Sequence, residues 1–407
     1  MSDRKQVNYI EYYLPFYMML TQYNIGGISV AFVGLVFVAL LEARKNKGII
    51  AMPKYYGVWA LVSYLVVKDV IVIALNPIAF DTYSKRIVLY VLYFAVCSVV
   101  TNIDFDEDHL FRVWKIAAVF FIAGLIYHLV LVYVFGIEVT PISIIPGVSI
   151  REGIYSTRPT SFFAEPEIFA VALLPLLFMS LRRQDIKWSI ISTLVIVAST
   201  SSTGIILMLV LWVIFIFSKT NRRWIKFVAV LFFVIGIFAI LYFPIFDQSL
   251  LKMEQVVKGE STFVSRVSCG LGVIRALNPL ELIFGTKQTD AYFYVGQNID
   301  KFSTSSYLDS AVRFFFENNS ISHSIFLNTF SNVIFRYGII GLILYYGMFF
   351  KRIRTKNYPA KSLLVAYIVG TFGQTSFLNS IGYLTIILMF LYEKKMIKEE
   401  DGNFGEN

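Results

Sequence analysis

Ile116 to Phe135, IAAVFFIAGLIYHLVLVYVF, is the stretch that decides the fold class. It is long enough to cross, or nearly cross, a hydrocarbon core that takes roughly 17 to 25 helical residues. Val228 to Tyr242 is a second such run, and others recur from end to end, leaving no room for a soluble domain of ordinary size. Composition agrees: 57% of the 407 residues are hydrophobic and 15% charged, where a soluble domain carries about 25% charged residues to wet its surface. The first apolar run has no small-residue cleavage site after it and reads as an uncleaved span. Cys97, within a span, and Cys269, in a loop, make a poor disulfide pair and are too few for a metal site.

The expected architecture is an all-α polytopic membrane protein, a single membrane domain over residues 1–407 with about twelve transmembrane helices. The expected spans are 10–22, 26–41, 55–75, 87–103, 116–135, 166–181, 188–200, 204–217, 225–243, 329–350, 362–376 and 380–392. The tracts 10–41, 188–217 and 362–391 run to about 30 residues, enough for one extremely tilted span or for two short helices in a hairpin. Basic residues choose the hairpin. Arg182, Arg183 and Lys187 precede the tract 188–217, and Lys219, Arg222, Arg223 and Lys226 follow it, so both flanks belong in the cytoplasm. The last tract lies likewise between Lys351, Arg352, Arg354, Lys356, Lys361 and the later Lys394, Lys395, Lys398.

With both termini inside, about 23 of the 36 Lys and Arg fall in cytoplasmic segments, roughly twice the number outside. The net charge of +9 is then mostly topology and needs no nucleic acid. Two extracytoplasmic loops follow, 136–165 and 244–328, too aromatic to be disordered and longer than ordinary connections. In the larger one, Phe263, Val267, Leu271 and Ile274 recur at helical spacing, and a second helix is expected from Ser306 to Glu317. The first would lie on the membrane or cap a cavity; both could equally serve to pack the loop down.

Candidate polar residues gather on the outer side. Arg158 and Glu165, in RPTSFFAEPE (158–167), stand at the start of a span, where a guanidinium and a helix N-terminus favour an anion. Their bland alternative is an interfacial Arg–Glu pair that fixes the loop. Arg266 and Arg275 in the amphipathic stretch are suited to a lipid phosphate, or to plain head-group anchoring. His323, after Asn318, Asn319 and Ser320, is either a general base or a solvated loop histidine, and no partner at ligand spacing suggests zinc. Lys68, Asp69 and Arg336 lie inside spans, where charges are expensive; a structural role, in which Lys68 and Asp69 neutralise each other and a carbonyl holds Arg336, is the simpler one. Ser199 to Gly204 forms a tight external turn whose hydroxyls either line a cavity or merely close the turn. There is no Gly-Lys-Ser phosphate loop, no Gly-x-Ser-x-Gly elbow and no His-Glu-x-x-His, which argues against ATP-driven transport by this chain alone.

The order of these motifs resembles the bacterial O-antigen polymerase (Wzy) and O-antigen ligase family. It is carried by Arg158-x-x-Ser-Phe-Phe-Ala-Glu165-Pro166 before a span, Ser-Ser-Thr-Gly at 201–204, and Arg266 with Asn278-Pro279 and Ile-Phe-Gly at 283–285 in the large loop. His323-Ser-x-Phe-Leu and Arg336-Tyr-Gly-Ile-Ile-Gly341 complete it, so that it covers about residues 150–350. The resemblance implies a GT-C-like, metal-independent, inverting glycosyltransferase without cofactor, at the outer face of the bacterial cytoplasmic membrane. It implies that Arg158 and Arg266 hold the pyrophosphate of a polyprenyl-pyrophosphate-linked oligosaccharide, that His323 or Glu165 acts as base, and that Arg275 and Arg336 are secondary. Donor and acceptor lipid-linked glycans, the bilayer, a flippase and a chain-length regulator are the implied partners. The chain departs from the family in the Ser-Ser-Thr-Gly turn, where many relatives carry Arg, and at Ser324, where they carry Asn. An O-antigen ligase uses the same chemistry on another acceptor. From another class, a lipid-linked glycan flippase or secondary transporter would favour ionisable groups near the midplane and two related halves, which this sequence does not display.

Overall fold

The computed structural model describes residues 8–26, 28–45, 56–76, 80–100, 103–151, 153–218, 227, 262–288, 290–303, 306–318, 325, 327–356, 358–374 and 379–403. These residues are mostly helical. The helices are α1 (Tyr9–Leu20), α2 (Val30–Lys45), α3 (Tyr56–Leu75), α4 (Phe80–Val100), α5 (Glu107–Tyr133), α6 (Pro166–Arg182), α7 (Ile186–Ala198) and α8 (Ser202–Phe217). After them come α9 (Thr262–Ala276), α10 (Pro279–Phe284), α11 (Ala291–Gln297), α12 (Tyr307–Asn318), α13 (Thr329–Arg354), α14 (Lys361–Gly370) and α15 (Ser380–Asn403). A small ribbon, β1 (Asn24–Ile25) against β2 (Ile28–Ser29), closes the turn between α1 and α2.

Each tract read as a hairpin holds two helices, the first ending at Leu20, Ala198 or Gly370 and the second beginning at Val30, Ser202 or Ser380. The expected span 225–243 lies outside the described residues apart from Phe227. Among the described helices, Gly57–Leu75, Phe80–Val100, Glu107–Tyr133 and Thr329–Arg354 are long and apolar enough to cross a membrane, and α7, α8 and α14 are shorter apolar helices. The loop helices expected near 263–274 and 306–317 are α9 and α12.

Helix ends differ from the hydropathy limits because a helix continues past the hydrocarbon wherever its polar end is capped. Thus α5 begins at Glu107, nine residues before the apolar run, because Asp106 accepts the N–H groups of Asp108 and His109. Likewise α4 begins at Phe80, and α13 runs to Arg354. Asn328 caps α13 at Ser331 N, and Ser201 caps α8 at Gly204 N.

The core is built around α6, buried at every residue from Phe169 to Leu181 and packed against α1, α5, α7 and α8. An element apolar on all sides belongs in such a centre. By contrast α5 buries Trp114, Ala117, Phe121 and Leu125 while exposing Ile116, Val119, Phe120, Ile126 and Val130. An outer face of that kind suits lipid and not water, which makes the chain a helical membrane protein.

The two ends of the bundle are chemically distinct. At one end, Glu107 accepts from Arg182 at 3.1 Å to both oxygens and pairs with Lys395; Glu11 meets His109 at 2.7 Å; Arg183 pairs with Asp108; and Arg352 meets Glu393 at 2.6 Å. This layer gathers the starts of α1 and α5 with the ends of α6 and α13 and the distal part of α15, which the hairpin reading had put on a common side. At the other end the α1–α2 turn is sewn to the segment before α6: Asn24 N donates to Val148 O at 3.1 Å and Ile150 N to Gln22 O at 2.9 Å.

Candidate functional site

The segment from Gly136 to Glu165 is folded by local hydrogen bonds. Val139 and Ser156 exchange N–H···O bonds of 2.9 Å, and Ile142 N donates to Ser161 O at 2.9 Å. His128, from within α5, receives the N–H groups of Thr160 and Ser161 on Nδ1 at 3.3 and 3.2 Å. An imidazole accepting there is neutral, with its proton on Nε2. Ser161 sits at φ +55° and donates its hydroxyl to Phe121 O at 2.8 Å. Gly124 is required beneath it, since a Cβ there would lie 2.5 Å from Ser161 Oγ. Phe162 stacks on Phe120, and Phe163 packs edge-on to Phe121.

This scaffold holds Arg158 over the α7–α8 turn, where its Nη2 donates to Thr200 O at 3.5 Å. Its Nε is buried without a hydrogen-bond partner, and so are Thr160 Oγ1 and Thr200 Oγ1. A buried polar atom left unpaired costs about 1–3 kcal/mol, so polar atoms of this kind suit a site that receives a ligand or water. Burial lowers the guanidinium pKa, and the neighbouring Glu165 and Glu167 oppose that shift. Glu165 opens α6 without capping it and pairs with Arg151, not with Arg158 as the interfacial pair would have had it. Arg158 is therefore spared that partner.

A second group lies on α3, α4 and α13. Lys68 and Asp69, adjacent on α3, come together with Arg336 of α13 and with Arg86 of α4, which sequence reasoning missed. Asp69 is 1% exposed, its Oδ2 lacks a partner, and Arg86, Arg336 and Lys68 all act on it electrostatically. Arg86 lies over the Tyr83 ring at 4.8 Å, and the Tyr90 and Tyr337 hydroxyls meet at 2.5 Å. The Ile-Phe-Gly segment locks into this group at a break in α13. Gly338 leaves the helix at φ +66°, ψ −169°, freeing carbonyls that the loop and α3 take up. Thr286 N donates to Phe335 O, and Tyr64 Oη to Tyr337 O, both at 2.8 Å; Lys68 Nζ donates to Gly285 O at 3.1 Å. Lys68 and Asp69 are thus not a self-contained neutral pair.

Arg275 is engaged inside the loop, 3.1 Å from Ser306 Oγ and 3.9 Å from Asp309, joining α9 to α12. Arg266 is on α9, whose backbone crosses α13 where Gly270 meets Ser331; the Arg266 side chain and His323 lie outside the described residues. The structure therefore brings Arg158 beside Glu165, places Arg336 in the second group and Arg275 in neither. Arg86 had one readable signal: with Tyr83 and Tyr90 at i−3 and i+4 it shares a helix face. Among the described residues no group of three or more His, Cys, Asp and Glu could hold a metal ion. No protein-family model, curated protein or solved structure matches the chain.

Proposed function

We propose that this chain is an integral-membrane glycosyltransferase with twelve membrane crossings and a GT-C-like fold. It polymerises polyprenyl-pyrophosphate-linked oligosaccharide repeat units at the outer face of the bacterial cytoplasmic membrane, with both termini in the cytoplasm. The observation that carries the reading is Arg158: a partly buried guanidinium with an unpaired Nε, held over a turn of buried hydroxyl residues at the end of the bundle away from the ionic layer. The ordered motifs from Arg158 to Arg336 support it from the sequence side.

In the reaction, an acceptor sugar hydroxyl attacks the anomeric carbon of the donor glycan as the bond from that carbon to the lipid diphosphate breaks. Negative charge grows on the departing diphosphate, and fixed guanidinium groups stabilise it without a metal. Arg158 and Arg266 take that role. The hydroxyl proton goes to His323 or Glu165. Glu165 would have to exchange its bond with Arg151 to accept it. A flippase supplies the substrate and a chain-length regulator limits the product.

Arg158→Ala and Arg266→Ala are expected to abolish long polymer in cells while single lipid-linked repeats accumulate; normal polymer in both variants overturns the proposal. Accumulated long lipid-linked chains would identify a ligase instead. Purified protein given synthetic lipid-linked repeats separates both from a flippase or transporter, since only a glycosyltransferase lengthens the glycan.

A further inference from the structure

We propose that Lys68, Arg86 and Arg336 form a second anion-binding site, distinct from Arg158, that takes the phosphate or diphosphate group of a ligand arriving at the loop-bearing end. The two groups share no residue and no helix: Arg158 rests on α5, α6 and the α7–α8 turn, whereas these three cations stand on α3, α4 and α13. The proposal does not require glycosyl transfer, since it concerns binding alone.

Three cations face one buried carboxylate, Asp69. Two arginines so close repel each other strongly where water is scarce, and Arg86 acts on Arg336 as a neighbouring like charge. Two loop acids also act on the cations, Glu281 on Lys68 and Asp290 on Arg336, while each is tied to the loop by its own hydrogen bonds. Glu281 accepts from Asn278 N at 3.1 Å and from Tyr294 Oη at 3.2 Å, and Asp290 caps Tyr292 N at 2.7 Å. The loop is fastened to the bundle by the Lys68 bond to Gly285 O, by Tyr64 to Phe284 O and Tyr83 to Lys287 O, and by the backbone bonds at the break in α13. None of these bonds uses Arg336 Nε, a buried guanidinium donor with no acceptor. Lys68, Arg86 and Arg336 also keep partial exposure while Asp69 does not, so the cations are reachable from outside and the acid is not. A planar guanidinium with an unpaired Nε suits a phosphate oxygen, and a second guanidinium and an ammonium beside it suit its charge.

Asp69 gives the test its sign. In an anion site it competes with the ligand, so its removal tightens binding; in a purely structural cluster its removal only loosens the fold. The full chain is purified in detergent in the Arg158→Ala background, so that the first site is silent. It is titrated calorimetrically with inorganic pyrophosphate and with farnesyl diphosphate, without divalent metal. Binding is expected, weakened about tenfold or more by Arg336→Gln or Arg86→Gln, and strengthened several-fold by Asp69→Asn. Tighter binding of farnesyl diphosphate supports a lipid-borne ligand, and equal binding of the two supports the free anion. Thermal midpoints of all variants, with Arg336→Lys as the charge-keeping control, separate lost binding from lost fold. No binding in the Arg158→Ala protein, unchanged affinity in both glutamine variants, or Asp69→Asn binding more weakly overturns the site. Failure of polymer synthesis with binding intact would count against the glycosyl-transfer reading alone.

Discussion

Replacing Gly338 with alanine tests the lock between the Ile283–Thr286 segment and α13. Gly338 adopts φ +66°, ψ −169°, a region held almost only by glycine and costing other residues of order 1–3 kcal/mol. An added Cβ would also lie 2.1 Å from Ile283 O and 2.6 Å from Gly285 N, where ordinary contact begins at 3.4 Å. Those are backbone atoms, so the loop must withdraw by about an ångström, and with it go the bonds from Thr286 N to Phe335 O and from Lys68 Nζ to Gly285 O. At about 0.5–1.5 kcal/mol for each bond, the total comes to roughly 2–6 kcal/mol, or about 2–7 °C of thermal midpoint for a chain of this size. Cys97 and Cys269, 5% and 1% exposed, become accessible only on unfolding, so a thiol-reactive dye reports the transition. Gly347, with nothing within 4 Å, is the control; Gly347→Ala gains about 1 kcal/mol of helix propensity and does not lower the midpoint. Equal midpoints for Gly338→Ala and Gly347→Ala would refute the lock.

Glu107→Gln leaves Arg182 and Lys395 without their shared buried carboxylate; a loss of about 1–3 kcal/mol is expected, discounted for the partial exposure of the two cations, and is read as a lower midpoint. Lys85→Ala, in the exposed pair with Asp81, should leave it unchanged. At the α6–α8 crossing a Cβ on Gly204 would meet Ala170 Cβ at 2.3 Å, so Gly204→Ala lowers the midpoint and adding Ala170→Gly restores most of it. An additive loss in that double variant would show that the contact is not what limits the approach of the two helices.

Helix existence was legible because hydropathy sums over a whole span, so errors at single residues cancel. Helix ends were not: α4 and α5 continue into Asp81, Lys85, Arg86 and Asp108, which hydropathy scores against membrane and which caps and ion pairs nevertheless hold in helix. The Arg158 segment was legible because its residues are adjacent in sequence. Its ion pairing was not, since whether Glu165 meets Arg151 or Arg158 is decided by the fold of the segment around the Val139–Ser156 bridge. His128 was hidden inside an apolar run, and only the folded loop reveals it as an acceptor for two backbone N–H groups. The second cationic group was least legible of all, because Lys68, Arg86 and Arg336 become neighbours only when α3, α4 and α13 pack.

On the proposed reading, polymerase and ligase differ in how many lipid diphosphates they hold at once. Head-to-tail growth joins a donor, whose diphosphate departs, to an acceptor that is still attached to its own. A ligase meets one diphosphate donor and an acceptor of another kind. On that reading, the two proposed sites, Arg158 above the α7–α8 turn and Lys68 with Arg86 and Arg336 beside the broken helix, would serve as one station for each diphosphate of a polymerase. Separation also serves the chemistry: the charge of a retained diphosphate, held away from the bond that breaks, does not oppose charge growing on the one that leaves. The same titration decides between them. Two equivalents of pyrophosphate per unmodified chain and one in Arg158→Ala fit the polymerase, whereas one equivalent that disappears in Arg158→Ala would leave the Lys68 group as architecture and return the ligase to equal standing.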